Sequence, residues 1–557
     1  MLYLADCWTQ PSNHNRLKSL NPFSVRHLDV KQIFGCLRAH GDFLLLDSPI
    51  SEYLTPILRR SRPYSEEAMG MRLGEILLKR ELVTPAALSE ALDRQKTIGG
   101  RLGANLIALG HLTEEQLSSV IHGAPAAPNG VSATGIPSRD LLSLLLKLMS
   151  VEGCETILDL ANRIKLPRLV VQQLLDEAAQ EKLVQAMGAS SSLGLAIRYA
   201  LSEMGRNAAK EALDQNLYVG PAPVSLSAYT EQIAIQRMAN ELLDADTLRR
   251  GFEGLVVPEN YLRKLLPAVR AGRSLLLFGP PGNGKTTLAT RVAKIFKDTV
   301  YIPYAIEVAG QIIKVFDPTL HKPRIPEGKI ANTPAISLQR SGSDERWMPC
   351  ARPVAIAGGE FTLEMLDLQY SSDVRFYDAP LHMKAINGMF LIDDFGRQKF
   401  RPDDLLNRWI VPMENKIDYL QLHTGASFPL PFDILLIFST NLQPDDLMDA
   451  AFLRRIRYKV KLHSPTSDEY RKIFEAVAKS HGLLLTDEIF EFVLENLSGK
   501  FDLAYYQPGF ICEQVVEACK AFNQRPQLGK EMVAEALTNL YFDFQEAQGS
   551  KPVGFES

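Results

Sequence analysis

The run Gly279-Pro280-Pro281-Gly282-Asn283-Gly284-Lys285-Thr286 fits G-x-x-x-x-G-K-[ST] and constrains the fold more than any other stretch of the chain. Before it, Ser274-Leu275-Leu276-Leu277-Phe278 is a short apolar segment suited to a buried parallel strand. After it, Thr287 onward to Phe296 reads as a helix. A loop between such a strand and helix can wrap a polyphosphate, because its glycines let backbone N–H groups turn inward and the helix N-terminus adds partial positive charge. Gly279 through Thr287 are therefore the candidate phosphate contacts, with Lys285 reaching the β/γ-phosphates and the Thr286 hydroxyl helping to hold Mg²⁺.

The chain has 557 residues, enough for about three or four domains. Its 46% hydrophobic and 23% charged residues are ordinary for a soluble globular protein. A net charge of −4 gives no global basic field to draw in nucleic acid or anionic lipid. No stretch of roughly 18 apolar residues suggests a transmembrane helix, and Met1 to Leu20 has no signal-peptide core. The six cysteines are scattered without a C-x-x-C pair, which argues against a disulfide framework or zinc site and for a reducing cytoplasm.

Residues 1–65 carry no readable function. Residues 66–125 contain an internal repeat: Arg72-Leu73-Gly74-Glu75-Ile76-Leu77 recurs as Arg101-Leu102-Gly103-Ala104-Asn105-Leu106, a period of 101 − 72 = 29 residues. In each copy a short apolar helix precedes a Thr at an N-cap position, Thr84 or Thr113, and a second helix with leucine-type residues four apart. A Pro/Gly/Ala-rich linker (126–138) leads to residues 139–213, which read as three helices and a two-stranded wing turning at Ser190-Ser191-Ser192. A second linker (214–229) precedes the P-loop domain (230–465), a helical lid (466–545) and a tail (546–557).

Three further segments match the P-loop in chemistry. Gly388-Met389-Phe390-Leu391-Ile392-Asp393-Asp394 is an apolar strand ending in two acids: Asp393 is placed to hold Mg²⁺, and Asp394 to act as the general base on an attacking water. Phe432 to Asn441 is a strand ending in the polar triplet Ser439-Thr440-Asn441. Asp449 to Tyr458 carries Arg454, Arg455 and Arg457; a guanidinium there could stabilise a transferring phosphoryl group. In this order, across about residues 230–545, the four segments resemble the AAA+ ATPases. The resemblance implies ATP and Mg²⁺ as ligands, Asn441 as sensor 1, and Arg454 or Arg455 as an arginine finger reaching a neighbouring subunit in a ring, usually a hexamer. A hairpin before sensor 1, read from Lys416–Leu422, a turn at His423–Ser427 and the strand from Phe432, is similar to the MoxR-like group, many of whose members remodel partner proteins. Asp394 departs from the usual Glu, and Tyr506-Gln507-Pro508-Gly509 stands where a sensor 2 arginine is expected.

The repeat resembles the MshEN domain of type II secretion and type IV pilus ATPases, two motifs R-L-G-x-x-L…G…L…L…Q with a five-residue spacer. Related domains bind cyclic di-GMP, which would assign Arg72, Leu73, Gly74, Leu88, Leu92, Gln95, Arg101, Leu102, Gly103, Gly110 and Leu117 to that ligand; docking alone is the alternative. Glu81 stands where the second copy has Gly110, and Ala124 where the first has Gln95. Residues 139–213 resemble a winged helix. Its third helix, Arg168 to Lys182, sums to 2 − 3 = −1, which favours a protein-facing role over DNA.

The expectation is a cytoplasmic, multidomain α/β protein. Its P-loop sheet is sandwiched by helices, closed by a C-terminal helical lid and preceded by small helical and winged-helix-like domains. Its function is expected to be ATP-driven remodelling of a protein client by a self-assembled ring, without membrane insertion. The alternatives are a slow nucleotide switch or scaffold and a DNA-associated regulator.

Overall fold

The computed structural model describes residues 73–547 apart from 122, 190–196, 241–244, 297, 325–341 and 498–500. Residues 1–65, Arg72, the expected wing turn and nearly all of the tail lie outside the described residues.

The repeat forms α1 (Leu73–Lys79), α2 (Pro85–Ile98), α3 (Leu102–Ala108) and α4 (Glu114–Ile121). Each copy turns on the expected threonine: Thr84 Oγ1 accepts from Ala87 N at 3.2 Å and Thr113 Oγ1 from Gln116 N at 3.1 Å. Gly74 and Gly103 lie where a Cβ would come within 2.8 Å of Leu88 and 2.7 Å of Leu117, so each glycine lets a leucine of its own copy press on the helix backbone. Glu81 and Gly110, 29 positions apart, both take left-handed backbone, with φ of 56° and 75°. The motif glycine is thus a backbone requirement, which Glu81 meets under strain.

Next come α5 (Ser138–Glu152), α6 (Ile157–Ile164), α7 (Arg168–Gln180), the antiparallel pair β1 (Val184–Ala189) and β2 (Ile197–Leu201), and α8 (Glu203–Gln215). Leucines and valines of α5 and α7 give these elements their own core. Neither flanking linker runs free. Ala127 N donates to Gly342 O, Asp344 N to Pro125 O and Ala222 N to Ile164 O. Arg346, 3% exposed, pairs with Asp344 at 2.8 Å and donates through Nη1 to the carbonyls of Thr134 and Pro223, both at 3.0 Å. One guanidinium therefore fastens both connecting segments to the P-loop domain.

The chain enters that domain through β3 (Val224–Ser225), α9 (Leu226–Ile235), α10 (Ala245–Gly251) and α11 (Glu259–Ala271). It continues through β4 (Leu275–Phe278), α12 (Lys285–Ala293), β5 (Thr299–Pro303), β6 (Ala305–Val308), β7 (Gln311–Lys314), β8 (Trp347–Ala351) and β9 (Val354–Ala357). Then follow β10 (Gln369–Ser371), β11 (Phe376–Asp378), α13 (Leu381–Lys384), β12 (Met389–Ile392), α14 (Pro402–Asn415), β13 (Ile417–Gln421) and β14 (Ser427–Pro431). The last core elements are β15 (Leu435–Thr440), α15 (Pro444–Leu447), α16 (Ala450–Arg455) and β16 (Tyr458–Lys461).

The central sheet has the order β16-β4-β15-β12-β9, with every pair parallel. Side-chain alternation splits its apolar residues between two layers. Leu275, Leu277, Leu391 and Ile437 pack with α11 and α12; Leu276, Phe390, Leu436 and Phe438 pack with α14. All six residues of β15 are buried, as expected of a parallel strand covered on both faces.

The segment between P-loop and β12 adds β10, β11, β7 and β6 to the earlier β3 in a second, mixed sheet, β10-β11-β7-β6-β3, and also forms the antiparallel pair β5–β8. β13 and β14 form the inserted hairpin, pairing Ile417 with Pro431 and Gln421 with Ser427. Its return arm thus falls at 427–431, and the strand leading to Asn441 starts at Leu435 rather than Phe432. The second sheet meets the hairpin turn: Tyr370 stacks on His423 at 4.1 Å, and His423 N donates to the Tyr377 hydroxyl at 2.8 Å. The lid comprises α17 (Ser467–Ser480), started by a Thr466/Glu469 capping box, then α18 (Asp487–Leu497), α19 (Gln507–Ala521) and α20 (Lys530–Ala547).

Replacing Glu81 by Gly should raise folding stability by up to about 1 kcal/mol, because it removes left-handed strain from a side chain that is exposed. Urea unfolding of the full chain checks this; an unchanged or lower midpoint would contradict the backbone explanation of the motif glycine.

Candidate nucleotide site

The P-loop leaves β4 at Phe278 and re-enters regular structure at Lys285, with Gly284 at the N-cap of α12. Gly279, Gly282 and Gly284 have φ of 144°, 74° and 72°, values that bulkier residues adopt only under strain. Gly279 also faces the Leu462 carbonyl, which a Cβ would approach to 2.1 Å. Lys285 is buried, and its Nζ donates to the carbonyls of Gly279 at 3.0 Å and Pro280 at 2.8 Å. Burial pulls its pKa down, while the carboxylates of Asp394 and Asp393 pull it up. Asn283, 2% exposed, leaves both side-chain amide atoms without a protein partner.

Parallel register brings the ends of β4, β12 and β15 together. The Thr286 hydroxyl donates to Asp393, at 2.8 Å from Oδ2 and 3.1 Å from Oδ1. Asn441 Nδ2 donates to Asp394 Oδ1 at 3.2 Å. Asp394 sits in left-handed backbone, with φ of 49°, at the turn that ends β12. That turn is anchored by Phe395 N on Ser439 O at 2.7 Å, and by Thr440 Oγ1 on Phe395 O at 2.8 Å. A hydroxyl beside a carboxylate is the hard-oxygen pair that suits Mg²⁺, which usually keeps water and phosphate oxygens as its other ligands.

Arg454 and Arg455 end α16, away from this cluster in sequence and separated from it by the length of the sheet. Arg455 pairs with Glu414 at 2.7 Å and lies over the Phe452 ring at 5.5 Å. Arg454 is exposed, and its side chain has no hydrogen bond or ion pair with any described residue. Two contributors carried no usable signal in the sequence. Gln398 Nε2 donates to the carbonyl of Asp393 at 2.9 Å, bracing the acidic turn from the following loop. Tyr506, at the N-cap of α19 where an arginine was sought, lays its ring on the P-loop: a Cβ on Gly282 would lie 2.3 Å from Tyr506 Cδ1.

In the repeat, Gln95 Nε2 donates to Gly100 O at 2.9 Å, Leu92 is 40% exposed and Leu88 and Leu117 contact the motif glycines. Leu73 and Leu102 pack against the module core, which also takes in Ala234 and Ile235 of α9. Arg101 donates to the Arg270 carbonyl at the end of α11, and Lys79 pairs with Glu231 at 3.3 Å. The candidate ligand residues thus contact one another and the P-loop domain.

The strand order, the P-loop after β4, the acidic pair after β12 and the polar triplet after β15 define a mixed α/β, AAA+-type P-loop fold with a helical lid. A family model described as a domain of unknown function (DUF8689) matches residues 466–539, which fall in the lid. No curated protein matches the chain. Among solved structures, the chain is similar to the Thermotoga maritima RuvB Holliday junction branch migration motor, with 15% identity over 54% of this chain and 79% of that one and a TM-score of 0.29. Domain III of the Thermotoga maritima replication initiation protein DnaA aligns with 14% identity over 54% of this chain and 98% of that one, TM-score 0.29. NtrX from Brucella abortus in complex with ATP aligns with 13% identity over 62% of this chain and 69% of that one, TM-score 0.29. Alignments this loose transfer no residue role. Among the described residues, no helix is long and apolar enough to cross a membrane.

The Gly282–Tyr506 contact predicts a coupled pair. Gly282→Ala should cost about 1–2 kcal/mol of backbone strain plus a clash with the ring. Adding Tyr506→Ala should return the clash part, giving a coupling of about 1 kcal/mol in a double-mutant cycle by thermal unfolding. Strict additivity would show that the lid does not rest on the loop.

Proposed function

We propose that the protein is an Mg²⁺-dependent ATPase whose nucleotide site lies between the P-loop and the ends of β12 and β15. The observation that carries this reading is the pair of contacts Thr286–Asp393 and Asn441–Asp394, converging beside Lys285. Backbone N–H groups of Gly282 to Thr286 would receive the phosphates, and Lys285 would leave its loop carbonyls for the β/γ-phosphates. Thr286 and Asp393 would hold Mg²⁺, which would neutralise phosphate charge there. Asp394 would accept a proton from the attacking water, with Asn441 fixing its carboxylate. Arg454 supports the role of finger better than Arg455, because Glu414 already holds Arg455 within its own chain. A finger on α16 reaches another subunit's nucleotide only in an assembly, so this reading includes a ring, with six subunits as the family precedent.

Purified full-length protein with Mg²⁺ and ATP should release phosphate. Lys285→Ala should abolish that release, and Asp394→Asn should bind ATP yet hydrolyse it at least about a hundredfold more slowly. No turnover sensitive to Lys285→Ala would reject the enzyme. The short reach of Asp394 and the phenol at Tyr506 favour a second reading, a slow nucleotide switch. Single-turnover rates that do not rise with protein concentration would select it.

A MoxR-like group is supported by the β13–β14 hairpin, and a protein-facing winged helix at 139–213 by three helices followed by an antiparallel pair. An Asp394→Asn variant held with ATP should retain a protein client in a pull-down if the chain is a remodeller. For an MshEN-like module at 66–125, the contacts of Arg101 and Lys79 with the P-loop domain favour docking, and cyclic di-GMP would have to compete for Arg101. Calorimetric titration of the full chain with cyclic di-GMP decides: heat that Arg101→Ala abolishes supports the ligand, and no heat at high micromolar ligand leaves docking alone.

A further inference from the structure

Asp394 combines an exposed side chain with a backbone that is hard to hold. Its φ of 49° lies in the left-handed region, which an aspartate keeps only where the surroundings over-determine it. Burial does not fix its carboxylate, so the direction of that group follows from the backbone beneath it. Asn441 Nδ2 meets Oδ1 at 3.2 Å from the β15 side. The peptide that carries the side chain needs a hold of its own.

That hold comes from the half-buried Gln398 in the following loop. Its Nε2 donates to the carbonyls of Asp393 at 2.9 Å and Asp394 at 3.3 Å, and reaches the Gly358 carbonyl at 3.4 Å. Its Oε1 accepts from Gly396 N at 2.9 Å. The reverse orientation of the amide would set an oxygen against all these carbonyls, so the partners fix which end is the donor. Each partner is a main-chain atom, and none belongs to the P-loop. Gly358 follows β9, where Asp393 N donates to Ala357 O at 2.9 Å and extends the β9–β12 pairing by one residue. Because β12 lies between β9 and β15, Asp394 is gripped from both sides. Asn441 takes its carboxylate from β15, and Gln398 ties its peptide to β9.

We infer that Gln398 is a positioning residue for hydrolysis: its donor amide holds the Asp394 peptide so that the carboxylate faces the attacking water. The inference rests on the ATPase reading. The two halves of the amide have different tasks. The acceptor oxygen closes the turn at Gly396, and the donor nitrogen sets the two acids. Glutamate has the same shape and separates the two. It keeps an acceptor for Gly396 N, loses both donor hydrogens when ionised and sets negative charge against carbonyl oxygens.

The test uses full-length Gln398→Glu and Gln398→Ala, with melting curves to confirm folding. Both should lose about tenfold or more of kcat, since a catalytic group displaced by about 1 Å can cost about a hundredfold. KM for ATP and the affinity for a fluorescent ATP analogue should change by less than about twofold, because the P-loop and the Thr286–Asp393 contact are untouched. Adding Gln398→Ala to Asp394→Asn should slow single-turnover hydrolysis no further, since Gln398 acts through the Asp394 carboxylate. A Gln398→Glu variant that turns over like the unsubstituted protein would show that only the Gly396 contact matters, and would overturn the inference. So would a rise in KM with kcat unchanged, which assigns Gln398 to nucleotide binding. A full further loss in the Asp394→Asn background would overturn it as well, because the effect would then bypass Asp394. The two readings fail differently. Turnover that Lys285→Ala removes, with both Gln398 variants fully active, sinks this inference alone; no such turnover in the unsubstituted protein sinks the ATPase and this inference with it.

Discussion

Everything at the candidate site depends on the parallel register that locks β15 between β4 and β12. Ile437 stands opposite both Leu275 and Leu391, and each strand then runs a few residues further before turning out of the sheet. A parallel pair permits this only when a helix carries the chain back over one face, and the helices α12 and α14 do so on opposite sides. The result is a single edge at which three chemically different turns end level: a phosphate loop, a pair of acids and an amide. A one-residue slip in β12 would exchange Phe390 with its neighbours between the two faces and carry Asp393 away from Thr286. The apolar packing of Phe390, Leu391, Leu436 and Phe438 is therefore what fixes polar distances near 3 Å at the edge.

Much of this was legible in the residues because its causes are local. Glycines that must turn, a strand that is apolar throughout, two acids after it and an asparagine after the next strand each bear their mark in sequence. The repeat was legible for the same reason, since Thr84 and Thr113 are caps whose effect reaches three residues.

What was not legible arises across long separations. Arg346 meets Thr134 and Pro223, 212 and 123 positions away, and nothing about an arginine in a β-rich segment announces two carbonyls from connecting segments. Tyr506 looked like the want of an arginine, and its ring proves to rest on Gly282. Gly74 and Gly103 were assigned to a ligand by resemblance, and leucines of their own copies pack against them. In each case the sequence showed a residue type suited to close approach, and only the packing showed what approaches.

The arrangement around Arg346 has a mechanical consequence. Two segments rich in proline and small residues would ordinarily act as hinges, but here both are tied to one buried guanidinium, and the backbone N–H of its carboxylate partner, Asp344, donates to the Pro125 carbonyl. Losing that guanidinium would strand two carbonyls and a carboxylate at once, so the segments are expected to let go together rather than in turn. The fold thereby joins its helical N-terminal block to the nucleotide domain at several points, among which Arg346 alone holds both connecting segments at once.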